Sequence, residues 1–158
     1  MKNLYLTCLA ALIGSASFLS AATTAHAQFQ AQAHPELYVV MFRADWCAPC
    51  KIVEPNIAQA LNILRDPSIE PVTIDITTPS HSELSAHRAF DRNIVSQYNS
   101  WLGVTGFAAV IDATNQHTLG CMNLKYSPQD MATHFKNLKT YAVADQVTQD
   151  FTCPEPNN

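Results

Sequence analysis

Glycine is scarce in this chain, with four among 158 residues, and that excludes a collagen-like repeat. Charge is sparse as well: 14% of the residues are charged, against 47% hydrophobic. A disordered chain needs the opposite balance, so this one folds around a core. Basic residues are few, nine Lys and Arg against thirteen Asp and Glu, for a net charge of −4. No phosphate-seeking surface is expected, and nucleic acid is not an expected partner. Repeats, low-complexity tracts and internal linkers are missing, and the length allows one ordinary domain. Cysteine is what the chain does have, five residues in all.

Residues 1–27 read as a secretory signal peptide. Lys2 supplies the positive start, Leu4 to Leu19 is an uncharged apolar stretch, and Ala25-His26-Ala27 offers small residues at −3 and −1. Cleavage is therefore expected before Gln28, leaving residues 28–158 as the mature domain. The alternative is an uncleaved segment anchoring the protein in the inner membrane, since about twenty apolar residues span a bilayer. Cys8 stands too near the start for a lipid-attachment cysteine, and it leaves with the signal. Cys47, Cys50, Cys121 and Cys153 remain, and an exported chain with an even cysteine count is permitted disulfides. The style of the signal points to a bacterium and the periplasm.

After a polar lead-in at 28–36, Leu37 to Phe42 is a continuous apolar run of strand length, as in a central strand buried on both faces. Val53, Ile57, Ala60, Leu61 and Leu64 recur at helical spacing up to Asp66-Pro67. Val72 to Ile76 is the next expected strand, and Thr78-Pro79-Ser80 is expected to turn the chain. One long helix follows, with Leu84, Phe90, Ile94, Tyr98 and Trp101/Leu102 as its apolar stripe and Gly103 as its end. Its segment 80–100 is either a longer helix or a partner-recognition insert. Phe107 to Ile111 and His117 to Met122 form an antiparallel hairpin around Asp112 to Gln116. The last helix starts at Ser127-Pro128 with Asp130 completing an S-x-x-[DE] cap, and Met131, Phe135, Leu138 and Tyr141 form its stripe. The order is β-α-β-α-β-β-α, with two crossovers long enough for parallel neighbours. The fold class is α/β, a sandwich with a mixed central sheet.

The chemistry concentrates in Trp46-Cys47-Ala48-Pro49-Cys50-Lys51, where a strand ends and a helix begins. The orphan N–H groups and dipole of a helix start favour a thiolate, so Cys47 is expected to have a lowered pKa and to be the nucleophile. Cys50, one turn deeper, is placed to resolve a mixed disulfide. Pro49 limits the loop's conformations and offers no N–H. Two blander readings compete: half of a zinc site, and a purely structural bridge. The zinc reading lacks a second C-x-x-C or an H-x₃₋₅-H, and His34, His81, His87, His117 and His134 are scattered. No metal is expected. Cys121 and Cys153 are read either as a structural disulfide, tying the C-terminal tail to the hairpin for about 2–4 kcal/mol, or as a second redox pair serving Cys47 and Cys50. The structural bridge is favoured, because neither cysteine stands at a helix start. Trp46 is expected to pack beside the motif and shield it, Trp101 to belong to the core, and Asp45 to be a surface acid or a tuner of Cys47.

From Val40 through Lys51 and on to Pro55, the chain resembles the thioredoxin superfamily, and Leu102-Gly103-Val104-Thr105-Gly106 before a strand looks like that family's second half. The resemblance spans about Leu37 to Tyr141. It implies a thioredoxin-like fold, Cys47 as nucleophile, Cys50 as resolving thiol, and Pro55 as the proline that kinks the first helix. The sequence departs from the family at three places. Met41 stands where thioredoxins carry a buried acid that assists the resolving thiol. Ala108 stands where the family has a cis-proline facing the cysteines, and a trans peptide bond is expected there. The branch serving cytochrome c maturation usually has Glu three residues past the second cysteine. Here Val53 fills that place, with Glu54 next to it, which disfavours that branch.

The expected function is a periplasmic thiol–disulfide oxidoreductase acting on exported protein substrates, with no cofactor beyond the Cys47–Cys50 pair and a monomer as the favoured state. A reductase there needs a membrane electron donor and an oxidase needs a reoxidant. An isomerase is less expected, because the chain has no room for the dimerisation domain such enzymes add. The alternative is a thioredoxin-fold binding or assembly module of an envelope, secretion or conjugation apparatus, with weak or no redox turnover.

Overall fold

The computed structural model describes residues 34–143 and 152–157; the expected signal peptide and its cleavage point lie outside them. Four strands and four helices follow in the order β1 (Leu37–Arg43), α1 (Cys50–Leu64), β2 (Ile69–Asp75), α2 (Pro79–Asp91), α3 (Val95–Ser100), β3 (Phe107–Asp112), β4 (Thr118–Met122) and α4 (Pro128–Val143). The strands form one sheet in the order β2-β1-β3-β4. β1 pairs parallel with β2 and antiparallel with β3, and β3 pairs antiparallel with β4. This mixed sheet, flanked by helices on both faces, is a thioredoxin-like α/β fold.

Alternation along β1 builds two cores. Leu37, Val39 and Met41 join the face packed with α1 and α4, whose contributions include Val53, Ile57, Met131 and Phe135. Val40 and Phe42 point the other way, into a cluster with Ala89, Ile94, Tyr98 and Trp101. The two central strands, β1 and β3, are thus apolar on both faces, as a doubly covered sheet requires. α4 starts as expected: the Ser127 Oγ accepts from the Asp130 N–H at 3.2 Å, while the Asp130 carboxylate accepts from the Ser127 N–H at 3.1 Å. That reciprocal pair satisfies two groups a helix start leaves orphaned.

Several expectations are corrected. β2 begins at Ile69 rather than Val72 and takes in Pro71. It is an edge strand, where a residue without an N–H costs no ladder bond on its open side. Thr78-Pro79 is a helix start, not a turn: the Thr78 hydroxyl accepts from the His81 N–H and Pro79 opens α2. The single long helix is two, parted at Arg92–Ile94, where Asn93 takes a left-handed φ of 56°. Leu84 and Phe90 are not buried but 54% and 74% exposed, and Leu102 is exposed too. Small residues face the sheet instead, Ser85 and Ala89. The Ser85 hydroxyl accepts from the Asp75 N–H at 2.8 Å and donates to the Asp75 carbonyl at 3.0 Å, drawing α2 onto the end of β2. Tyr141, in the last turns of α4, is also exposed.

The second crossover does not give a parallel neighbour. α2 carries the chain back along β2, where Arg92 Nε donates to Glu70 at 2.7 Å. α3 and the loop after it return the chain to the C-terminal end of β1, where the Gly106 N–H donates to the Phe42 carbonyl at 2.9 Å. Having crossed the sheet's height once more, the chain enters β3 antiparallel to β1.

Candidate active site

β1 ends at Arg43, and the chain reaches α1 through residues 44–49. The Cys47 N–H donates to the Ala44 carbonyl at 3.1 Å, and Ile52 and Val53 both donate to the Pro49 carbonyl at 3.0 Å. α1 therefore starts with Pro49 as its cap residue, which has no side chain to accept a hydrogen bond. A sulfur takes that role: the Cys50 N–H donates to Cys47 Sγ at 3.2 Å. An acceptor at a helix start gains from the orphan N–H groups and the dipole, and gains more as an anion. The fold thus sets Cys47 Sγ against the N-terminal end of α1, as the motif led one to expect.

Cys47 and Cys50 are joined as a disulfide. Both are buried, Cys47 at 4% exposure and Cys50 at 1%. Cys50 Sγ lies 3.8 Å from the Phe42 carbonyl, which would accept from the Cys50 thiol once the bridge is reduced. Ala48, Pro49 and Lys51 are exposed around the pair. Trp46 does not shield it: the residue lies in the tight return from Ala44 to Cys47 and is 64% exposed. Pro55 lies inside α1, on its exposed side, and has no N–H to give the Lys51 carbonyl.

Met41 and Ala108 are register partners across β1 and β3, and both belong to the core cluster that holds Cys47 and Cys50. The peptide bond before Ala108 is trans. A pocket of about 210 Å³ between α1 and the β1–β2 edge is lined by Met41, Thr73, Pro71 and Glu54 among others. Glu54 is its one ionisable lining residue.

Two residues of the site carried no role in the sequence reading. Gly106 has φ of +92°, and a Cβ there would sit 2.9 Å from Pro49 Cβ and 3.5 Å from Cys47 Sγ. Its lack of a side chain lets the β3 approach close directly against the motif. A glycine just before a buried strand was the available signal. Arg43 is the second. Its guanidinium pairs with Asp45 at 2.7 Å, with Glu54 at 3.3 Å and with Asp75. It ties together the end of β1, the loop into the motif, α1 and the end of β2. The hydrogen bond to Asp45 and the charges of Asp75 and Glu54 raise its pKa, against burial. Burial pushes the Asp75 carboxyl up, but the Thr77 hydroxyl and N–H and the Arg43 charge outweigh it and hold it below the usual carboxylate range. A charged residue closing an apolar strand was the only sign of this hub in the sequence. Asp45 is indeed a surface acid, occupied by Arg43.

The other pair is also bridged: Cys121, fully buried in β4, is joined to Cys153 in the tail. Among the described residues, no three His, Cys, Asp or Glu side chains gather as a metal site, and no helix is long and apolar enough to cross a membrane.

The Thioredoxin family model matches residues 20–87. No curated protein matches the chain. Solved structures similar to it include a thiol:disulfide interchange protein of the thioredoxin family from Chlorobium tepidum, 21% identical over 66% of this chain and 80% of that one, with a TM-score of 0.46. Thioredoxin-2 of the malaria parasite is 16% identical over 64% of this chain and 82% of that one, with a TM-score of 0.43. Fasciola hepatica thioredoxin is 19% identical over 69% and 83%, with a TM-score of 0.39. The resemblance to the thioredoxin superfamily stands on the family match and on the sheet described above. With the Cys47–Cys50 disulfide at its helix start, this thioredoxin-like chain is suited to thiol–disulfide redox chemistry.

Proposed function

We propose that the protein is a periplasmic thiol–disulfide oxidoreductase that exchanges disulfides with exported protein substrates through Cys47 and Cys50. The observation that carries this reading is the disulfide at the start of α1, with Cys47 Sγ accepting the Cys50 N–H. In the reducing direction, the Cys47 thiolate attacks one sulfur of a substrate disulfide, forming a mixed disulfide and releasing the other sulfur as a thiolate. Cys50 then gives up its proton and attacks Cys47 Sγ. The substrate leaves as a dithiol, and the protein keeps the Cys47–Cys50 bridge. The oxidising direction runs these steps in reverse. The exposed Trp46 and Ile52 beside the motif offer apolar contacts to a protein substrate. The signal-like residues 1–27 support export and cleavage after Ala27. A membrane donor or reoxidant completes the cycle, and no dissociable cofactor enters it.

Insulin reduction driven by dithiothreitol tests the enzyme reading. Turnover by the mature protein that disappears in Cys47→Ser supports it; equal inertness of the two contradicts it. A second reading, a thioredoxin-fold binding or assembly module, is favoured by Met41, whose buried thioether cannot take the proton from Cys50. Inert wild-type protein would support that reading.

A further inference from the structure

Residues 152–157 lie as a strap across one end of the aromatic core. At their start, the Thr152 hydroxyl donates to the Cys121 carbonyl at 2.9 Å and accepts from the Cys121 N–H at 3.3 Å, beside the Cys121–Cys153 bridge. Next, the Trp101 Nε1–H donates to the Pro154 carbonyl at 3.0 Å. At the end, Asn157 donates from its N–H to the Ser100 carbonyl and from its side-chain amide to the Leu102 carbonyl, each at 2.6 Å. The strap thus satisfies the last carbonyl of α3 and that of Leu102 just beyond it, and fixes Trp101.

Trp101 is in turn a neighbour of the motif's support. Its ring makes T-shaped contacts with Phe42 and Phe107 at centroid distances of 5.7 and 5.4 Å, and those two rings stack at 4.9 Å. Phe107 follows Gly106, which packs on Pro49 and Cys47. The Phe42 carbonyl accepts from the Gly106 N–H and faces Cys50 Sγ. A continuous set of contacts therefore runs from the second disulfide to the first.

We propose that Cys121–Cys153 is a redox latch on this strap, and that the closed latch slows exchange at Cys47–Cys50 by holding the 101–107 segment against the motif. The proposal concerns the regulation of that site and rests on its reading as an exchange site. Cys121 is inaccessible while Cys153 is part-exposed, so an external dithiol attacks Cys153 Sγ. The bridge breaks, Cys121 leaves as a thiolate and takes up a proton, and Cys153 forms a mixed disulfide with the dithiol. The dithiol's second thiol cleaves that bond. Two electrons have passed, the dithiol has become a disulfide, and the latch has become two thiols. Without the bridge, the strap is held by a few hydrogen bonds, part-buried at Thr152 and Pro154 and exposed at the Asn157 side chain, and local opening is favoured.

The test uses the mature protein, the Cys121→Ala/Cys153→Ala variant, and a truncation ending at Cys153 that keeps the bridge but removes the contacts to Trp101 and α3. Two readouts are taken: amide hydrogen exchange over residues 100–107, and the initial rate at which dithiothreitol reduces Cys47–Cys50, followed by alkylation and mass. Both variants are expected to exchange faster over 100–107 and to lose the Cys47–Cys50 bridge about fivefold faster, as a locally opened segment would. Unchanged rates in both would overturn the proposal, as would a change in the double variant that the truncation does not share. If the double variant does not fold, the single variant Cys153→Ala, which opens the bridge and leaves the buried Cys121 in place, is used instead, acceleration in it and in the truncation supporting the latch and an unchanged rate in either overturning it. Chemical reduction does not require turnover, so absence of insulin reduction by every form would sink the enzyme reading and leave this comparison intact.

Discussion

At Gly106 and Arg43 the site depends on single residues that lie in the family-like stretches but had no role assigned from the sequence. Gly106→Ala must place a methyl group against Pro49 in a backbone conformation side chains rarely adopt. We expect it to cost about 2 kcal/mol, read as a lowered denaturation midpoint, and to disturb the motif loop as it does so. Arg43 pairs with three carboxylates. Arg43→Met leaves them facing each other beside the start of α1, and the unbalanced negative charge disfavours a thiolate nearby. The Cys47 thiol pKa, followed by thiolate absorbance in the reduced protein, is expected to rise; an unchanged value would remove Arg43 from the chemistry. The placement of the cysteines was legible, because a C-x-x-C at a strand-to-helix junction sets both sulfurs at a helix start, where the bridge lies. Gly106 and Arg43 act across elements far apart in sequence, so their roles emerge only once the sheet is assembled.

Among the elements, α4 is joined to the start of β2 by a polar cluster. Lys139 Nζ contacts the Asp66 carboxylate at 2.7 Å, the Ser68 hydroxyl at 2.6 Å and Glu36 at 2.8 Å. The hydrogen bond from Lys139, with that from Ser68, lowers the Asp66 pKa to about 2. Because the folded value lies below the ordinary one of 3.8, this stabilisation is complete above about pH 4 and fades as the pH falls towards 2. Lys139 is raised above 10.5 by the same partners, so its share is complete below that pH and is lost above it. Asp66→Asn is expected to destabilise by about 1 kcal/mol at neutral pH, screened by its partial exposure. The gap from wild type should close in thermal melts taken towards pH 2. A gap independent of pH would contradict the assignment. Helix α1 and the capped start of α4 were readable from periodicity and S-x-x-D. The α2–α3 break was not. A stripe of large apolar residues suggested one helix, whereas Ser85 and Ala89 bring α2 close to the sheet and leave Leu84 and Phe90 outside. Small buried residues leave little mark on a hydrophobic pattern.

For the whole molecule, the sequence carried the class of fold further than its topology. Alternating strands and helices pointed to an α/β sandwich, but strand direction after the second crossover depended on the added helix. Expression with residues 1–27 in a Gram-negative host is expected to yield a periplasmic chain beginning at Gln28, checked by intact mass. A full-length, membrane-held product would contradict export with cleavage. The central claim is that Cys47–Cys50 cycles within the folded protein. Equilibrating the mature protein in glutathione buffers, with each cysteine pair tracked by mass, tests it directly. A reversible Cys47–Cys50 transition is expected between about −270 and −120 mV, the range of known exchange proteins. A pair that stays oxidised throughout, or opens only when the protein unfolds, would contradict it.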